Sequence, residues 1–259
     1  MIDSKFRILR TIVRSKSKEV IDHIALNHVH RGESKRNDVE ICLFCYHKDN
    51  ITKEHVLPTW AFANCPQKYF DTDINGIKQF YIKAVIPSCS NCNNNLLGSI
   101  EKYIYNLFKN TNLKDSYFSN EEKQNIIRWL ELIEYKFQIL EVRKKFLASK
   151  EHGYIKNLAD LPISVLRENV DFSPSKAIQQ IRNSNKRIAI KSKIGKENSL
   201  VIFKSKNKSF DFFHSIENFV FLQIPEFQIA LLYFYNRDYT NELDAYNDAI
   251  EIIKNQGYY

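Results

Sequence analysis

Cys42-Leu43-Phe44-Cys45, Lys53-Glu54-His55-Val56-Leu57-Pro58 and Cys89-Ser90-Asn91-Cys92-Asn93 are the three short stretches on which the reading of this chain turns. A Cys-x-x-Cys pair lets two sulfurs from one turn reach the same ion, and two such pairs close a tetrahedral Zn2+ site with no open position. Zinc held in that way contributes folding free energy and leaves the chemistry to other groups. No βαβ pattern surrounds either pair, which argues against a thioredoxin-like redox motif. The stretch between the pairs, positions 46–88, is longer than a simple zinc ribbon requires, so something has been placed inside it. The insert carries Glu54-His55. Cys65, the fifth cysteine, has no partner motif and reads as an ordinary buried residue.

A carboxylate beside an imidazole at the end of a short strand suits phosphodiester hydrolysis. The oxygen of Glu54 matches a hard ion such as Mg2+ or Mn2+, which keeps several waters and reaches phosphate oxygens. A neutral His55 can take the proton of the attacking water. The metal offsets charge on phosphorus and on the leaving 3′ oxygen. A second protein oxygen is needed, and Asn93, directly after the last cysteine, is well placed. A zinc nucleobase deaminase is excluded, because its signature needs His-x-Glu and a Pro directly before Cys-x-x-Cys. Here the order is Glu-His, and Ser88 separates Pro87 from Cys89.

The combined pattern C-x-x-C, K-E-H-V-x-P and C-x-x-C-N-N-x-L-x-G-S resembles the HNH endonucleases of the ββα-metal superfamily, in particular members with a cysteine quartet and an EH-x-x-P core. The likeness covers residues 41–108. It implies a zinc ion on Cys42, Cys45, Cys89 and Cys92, a catalytic divalent metal on Glu54 and Asn93, and His55 as general base. It further implies DNA as substrate, with 5′-phosphate and 3′-hydroxyl products. Gly98 and Glu101 match a small residue and an acid that recur on the family's helix and are read as packing and loop anchoring. The chain departs from the family at the middle Asn that orients the base: YIKAVIPS before Cys89 contains none, and Asn64 or Asn75 would have to substitute. Stand-alone proteins of this type resemble effectors of anti-phage defence that work beside an ATPase, which makes such an ATPase an expected partner. The alternative is a non-catalytic, zinc-stabilised nucleic-acid-binding module.

Outward from this centre, the 259 residues divide into an N-terminal helical segment (1–40), the motif-rich module (41–110) and a C-terminal substrate- or partner-binding region (111–259). The expected class is α+β: a ββα-metal module with a four-cysteine zinc site, followed by a helical and β-containing region. Val20, Ile21, Ile24 and Val29 form a helical stripe that RGESKRND interrupts. Residues 120–149 form the clearest helix, opened by a Ser119/Glu122 capping box, with Ile126, Ile127, Leu130, Ile133, Phe137, Leu140 and Val142 as its apolar stripe. Its mixed charges predict a solvated outer face. LVIFKSK, FVFLQI and FQIALLYFY predict strands and TNELDAYNDAIEIIKNQ a closing helix that Gly257 would cap. Tyr233, Phe234 and Tyr235 read as core.

The net charge of +8 fits a polyanionic partner. It is unevenly spread, with ten Lys and Arg between 176 and 208 against the single Glu197. There SNKRIAIKSKIGKE alternates charge with aliphatic residues, so a strand would present one cationic face to phosphates. The candidate nucleic-acid contacts are Lys53, Lys186, Arg187, Lys191 and Lys193. The start of the chain is basic without an apolar core or cleavage site, and the apolar run 219–235 is interrupted by Gln223, Pro225, Glu226 and Gln228, so a cytoplasmic, soluble protein is expected.

Overall fold

The computed structural model describes residues 2–29, 39–65, 69–71, 78–111, 118–145, 174–215 and 217–255. The first helix, α1 (Ile2–Ile24), buries Phe6, Leu9, Val13, Val20, Ile21 and Ile24 along one side, the spacing of an amphipathic stripe. A π-helical turn, Ala25–Val29, extends it. The interrupting RGESKRND run lies outside the described residues.

The motif-rich segment supplies two antiparallel pairs. β1 (Ile51–His55) pairs with β4 (Val85–Cys89), with Ile51 opposite Cys89 and His55 opposite Val85. β2 (Tyr69–Asp71) and β3 (Lys78–Phe80) pair within the connection between them. The chain leaves β4 directly into a helical stretch whose first part, Asn91–Leu97, is π-helical and whose remainder is α2 (Gly98–Asn110). ICLFC, read from sequence as an extended piece, instead makes a turn in which the Tyr46 amide donates to the Cys42 carbonyl at 2.9 Å. Tyr46 (φ 65°) and Asn50 (φ 52°) both sit in the left-handed region, which tightens the loop from the first cysteine pair into β1.

The long helix α3 (Asn120–Lys145) starts as its sequence predicts. The Glu122 amide donates to Ser119 Oγ at 3.3 Å, and the Ser119 amide donates back to Glu122 Oε2 at 2.8 Å. Its outer face is not solvated, however. Glu131, Glu134, Lys136, Gln138 and Glu141 are all buried beside the apolar stripe, because α3 runs through the middle of the molecule with partners all round. Such a burial of charge is tolerated only where each charge is paired or hydrogen-bonded, and the partners lie far away in sequence.

A second correction concerns the basic run. Residues Pro174–Ala189 form a helix, α4, rather than a strand. Ile178, Ile181, Asn185 and Ile188 are buried at intervals of three and four, and that period wins over the short alternation in Arg187-Ile188-Ala189-Ile190-Lys191. The three anticipated strands are present as β5 (Leu200–Lys204), β7 (Phe219–Ile224) and β8 (Ile229–Phe234), joined by β6 (Asp211–Ser215) in a four-stranded antiparallel sheet of order β5-β8-β7-β6. Tyr233, Phe234 and Tyr235 are buried, as expected of core residues. The closing helix is α5 (Glu242–Asn255), and Gly257 lies outside the described residues. The fold is thus mixed helix and sheet. One hydrophobic cluster runs from Phe6 through Cys92 and Trp129 to Tyr235, so all three segments of the chain share a core.

Candidate metal centre and the groups around it

The four cysteines of the two pairs converge: their Sγ atoms all lie within 4.8 Å of one another, and Cys45 Sγ stands 3.6 Å from Cys89 Sγ. Zinc–thiolate bonds of about 2.3 Å in a tetrahedron place sulfurs about 3.8 Å apart, so the spacing fits a four-coordinate ion. Cys42, Cys89 and Cys92 are buried and Cys45 is half-buried. Crowded thiols compete for protons when no cation sits among them. The hydrogen bond from Cys92 draws Cys42 down to about 4. Burial pushes Cys45 up to about 12, and the same bond to Cys42, then burial, pushes Cys92 up. A divalent ion resolves this competition by holding all four as thiolates. The quartet can therefore hold a metal such as zinc. Cys65 stands apart, buried, its sulfur accepting the Phe210 amide at 3.2 Å.

The metal position sits at the junction of β4 with the helical stretch. Cys89 ends β4, Cys92 lies in the first turn after it, and Asn93 follows. The Asn93 carboxamide nitrogen donates to Thr52 Oγ1 at 2.8 Å and to the Lys53 carbonyl at 3.2 Å, tying the helix to β1 across the strand pair. With its nitrogen turned toward two acceptors, the carboxamide presents Oδ1 away from them. At Gly98 the fit is close, since a Cβ there would meet the Asn93 carbonyl oxygen at 3.3 Å. The wide π-helical turn brings these two residues together, with the Gly98 amide donating to the Asn93 carbonyl. Such turns are frequent at functional sites. Asn91 and Asn94, the neighbours that could be confused with Asn93 in sequence, bond within the helix instead: Asn91 Oδ1 accepts from Asn95 and Asn94 donates to Ser90.

Glu54 and His55 part company at the end of β1. Strand residues alternate sides, and Glu54 turns into the core while His55 is half-buried. Glu54 Oε1 accepts a charged hydrogen bond from Lys136 Nζ at 2.7 Å. The same ammonium donates to the His55 carbonyl at 2.7 Å and to Glu101 Oε1 at 3.3 Å. Burial would lower the pKa of Lys136, but the charges of Glu54 and Glu101 outweigh it and hold the pKa above the ordinary value. Burial pushes the Glu101 carboxyl up. Lys136 escaped the sequence reading because nothing in α3 distinguishes it from a solvated lysine; its signal is the acid at Glu54, an otherwise costly buried charge. Glu101, read from sequence as a loop anchor, serves this cluster.

The candidate nucleic-acid residues are scattered in environment. Lys53, Lys186 and Lys191 are exposed. Lys193 is 3% exposed, paired with Glu131 at 2.6 Å and donating to the Arg187 carbonyl at 2.8 Å, so its ammonium cannot meet a phosphate. Arg187 lies over the Tyr235 ring at 4.6 Å as part of the packing. Asn64 is exposed in the turn after Phe62, and Asn75 lies outside the described residues. Among the described residues no helix is long and apolar enough to cross a membrane.

No family model matches the chain, and no curated protein or solved structure matches it. The functional reading therefore rests on the residues themselves.

Proposed function

We propose that this chain is a metal-dependent endonuclease of the HNH type that hydrolyses phosphodiester bonds of DNA. The observation that carries the reading is the strand pair and helix gathered by four convergent thiols, with His55 at the end of one strand and Asn93 at the start of the helix. Zinc on the quartet would fasten β4 and the first turn of the helix to the Cys42–Cys45 turn. Glu54 and Asn93 would hold a magnesium or manganese ion, which supplies charge neutralisation at the phosphate.

The protein's own groups have distinct tasks in this scheme. His55, half-buried at the strand end, accepts the proton of the attacking water at its free ring nitrogen. Asn93, fixed by Thr52 and Lys53, presents Oδ1. Lys136 occupies Oε1 of Glu54, and a carboxylate has a second oxygen through which it can bind a cation; the same lysine fixes the carbonyl of His55 and so the course of the backbone at the base. Lys53, exposed beside them, is a phosphate contact. A partner ATPase and a role in anti-phage defence belong to this proposal as its biological setting.

The Glu54–Lys136 pair favours one second reading, in which Glu54 is purely structural and the module binds nucleic acid without cutting it. The cleavage assay decides between them. Purified protein with magnesium or manganese should nick plasmid DNA, and His55→Ala should abolish nicking while keeping its zinc and its thermal transition. Equal cleavage by wild type and His55→Ala would end the catalytic proposal; no cleavage by either, with DNA binding retained, would support the second reading.

A further inference from the structure

Beside the exposed lysines of the basic run 176–208, a second cationic surface is built mostly from α1. Arg7, Arg10 and Arg14 stand at i, i+3 and i+7, along one stripe of that helix. With Thr11, Ser15 and Lys191 they line a cleft of about 400 Å³ between α1 and the segment that follows α4. Two cations join α1 and α3 to the segment that forms its far wall. Arg14 donates to the Ala189 carbonyl at 2.9 Å, one of the unpaired carbonyls at the C-terminus of α4, where positive charge is favoured. Arg128 of α3 donates to the Lys191 carbonyl at 3.4 Å. These bonds hold Lys191 opposite the arginine stripe.

The cations of the cleft differ from the other charges of α1. Farther along, Lys16 pairs with Glu19 at 3.1 Å and Lys18 with Asp22 at 2.6 Å, the usual solvated pairs of a helix surface. Among the described residues Arg7 and Arg10 have no ion-pair partner, and Asp3, one turn earlier, is the acid nearest them along the helix. Arg128 behind them is itself held below its ordinary pKa, first by burial and then by the charge of Arg10, and its Nε is buried without a hydrogen-bond partner. Asp3, Glu121 and Glu131 offset part of this positive charge, but not enough to restore Arg128 to its ordinary pKa, so an anion in the cleft would be favoured.

We infer that the cleft between α1 and the Lys191 segment is a binding surface for the phosphate backbone of duplex DNA. Arg7 to Arg14 span about 10 Å of helix at 1.5 Å per residue, enough to reach more than one phosphate of a duplex that carries a charge per about 3.4 Å of axis on each strand. Guanidinium groups on a helix suit that role, since each offers a planar fork of donors to phosphate oxygens. The helix that carries them is fastened to the candidate centre, because Lys5 donates to the Asn95 carbonyl at 2.9 Å, two residues beyond Asn93. The inference rests on the nuclease proposal for its choice of polyanion, and it adds a positioning surface that the motif does not contain.

The test is fluorescence anisotropy with a labelled DNA duplex of about twenty base pairs, without added magnesium, over a series of salt concentrations. Arg7→Glu/Arg10→Glu should weaken binding about tenfold or more and flatten the dependence of log K on log salt by about two. Lys204→Glu/Lys254→Glu, an equal change of net charge on exposed residues of β5 and α5, should leave binding within about twofold. Should the double reversal melt early, Arg7→Gln/Arg10→Gln carries the same test with a smaller shift. Wild type that fails to bind at low salt, α1 variants that bind as wild type, or a control that weakens binding as much would each overturn the inference. His55→Ala separates it from the catalytic reading: that variant keeps duplex binding whether or not it cuts.

Discussion

Two buried ionic clusters hang from the same helix, and they are built alike from different chemistry. On one side of α3, Lys136 stands between Glu54 and Glu101 and joins the helix to the strand end that carries His55. On another, His214 of β6 stands between two α3 residues, with Nδ1 2.9 Å from Glu134 and Nε2 3.1 Å from Glu141. Each is one cation between two carboxylates in the dry interior. Each is a desolvated arrangement whose cost is met by pairing every charge. The difference is the cation. Lysine stays charged through the whole range in which proteins work, whereas histidine can lose its proton. Burial would lower the pKa of His214, but Glu134 and Glu141 outweigh it and hold the ring well above its ordinary 6.5. The region with the candidate centre is thus tied down by a permanent charge, and the four-stranded sheet by a conditional one.

The strongest way to separate the two regions is to remove the feature only one of them has. Cys92→Ser should lose bound zinc and lower the melting temperature more than any change below, since structural zinc contributes roughly 10 kcal/mol or more in small zinc modules. Metal analysis of freshly purified wild type should find about one zinc per chain; none at all would remove the staple from the account.

Next in size is Lys136→Met. It leaves Glu54 and Glu101 buried without their cation and should cost about 3–5 kcal/mol in urea unfolding. Loss below about 1 kcal/mol would mean that the carboxylates find protons or other partners and that the cluster is not what fixes β1.

The conditional cluster makes a prediction in pH. The folded pKa of His214 is raised, so its contribution is fully present below the unfolded value of 6.5 and is lost as pH rises through the folded value. For Glu134, burial alone would raise the pKa, but His214 overrides it and the value is lowered. Its share is present above the unfolded 4.5 and is lost as pH falls through the folded value. The cluster is therefore strongest between those limits, and stability should decline toward alkaline pH. His214→Gln, which keeps a donor for one carboxylate, should cost about 1–3 kcal/mol near pH 6.5 and flatten the alkaline decline. An alkaline slope that survives in the variant would assign it to another group.

The smallest effect is shared by both clusters. Ser119→Ala removes the cap that starts α3 and should cost about 1 kcal/mol, without shifting the pH profile that His214→Gln alters.

The same contrast explains what was legible in the chain. The cysteine quartet, the β1 strand, the cap at Ser119 and the strands around 201, 221 and 231 could be read because spacing and period are local properties. The burial of α3 could not. A lysine at 136 and glutamates at 134 and 141 look like a solvated face until Glu54, Glu101 and His214 are brought to them from 82, 35 and 80 residues away in sequence. β6 was missed because Asp-Phe-Phe-His-Ser lies at the sheet's edge, half-buried on both sides, and edge strands show no clean alternation. The fate of Lys193 was hidden for a related reason: a cation in a basic run looks like its neighbours, and only Glu131 marks it as internal. For Arg7, Arg10 and Arg14, a run of charges on an N-terminal helix acquires a definite meaning only from the wall opposite.

That wall has a consequence for how the chain comes to be folded. Arg14 meets its acceptor on Ala189 across 175 residues, and the apolar side of α1 packs chiefly against α4. During synthesis at roughly 5–20 residues per second, the first helix therefore waits about ten to thirty-five seconds before its docking partner emerges. Until then the side of α1 that meets α4 has no docking partner, although α2 and the turn before it are already available. Helix α1 is made well before α4 and is fully seated only after it, so nascent chains should stay protease-sensitive at α1 until α4 has been translated.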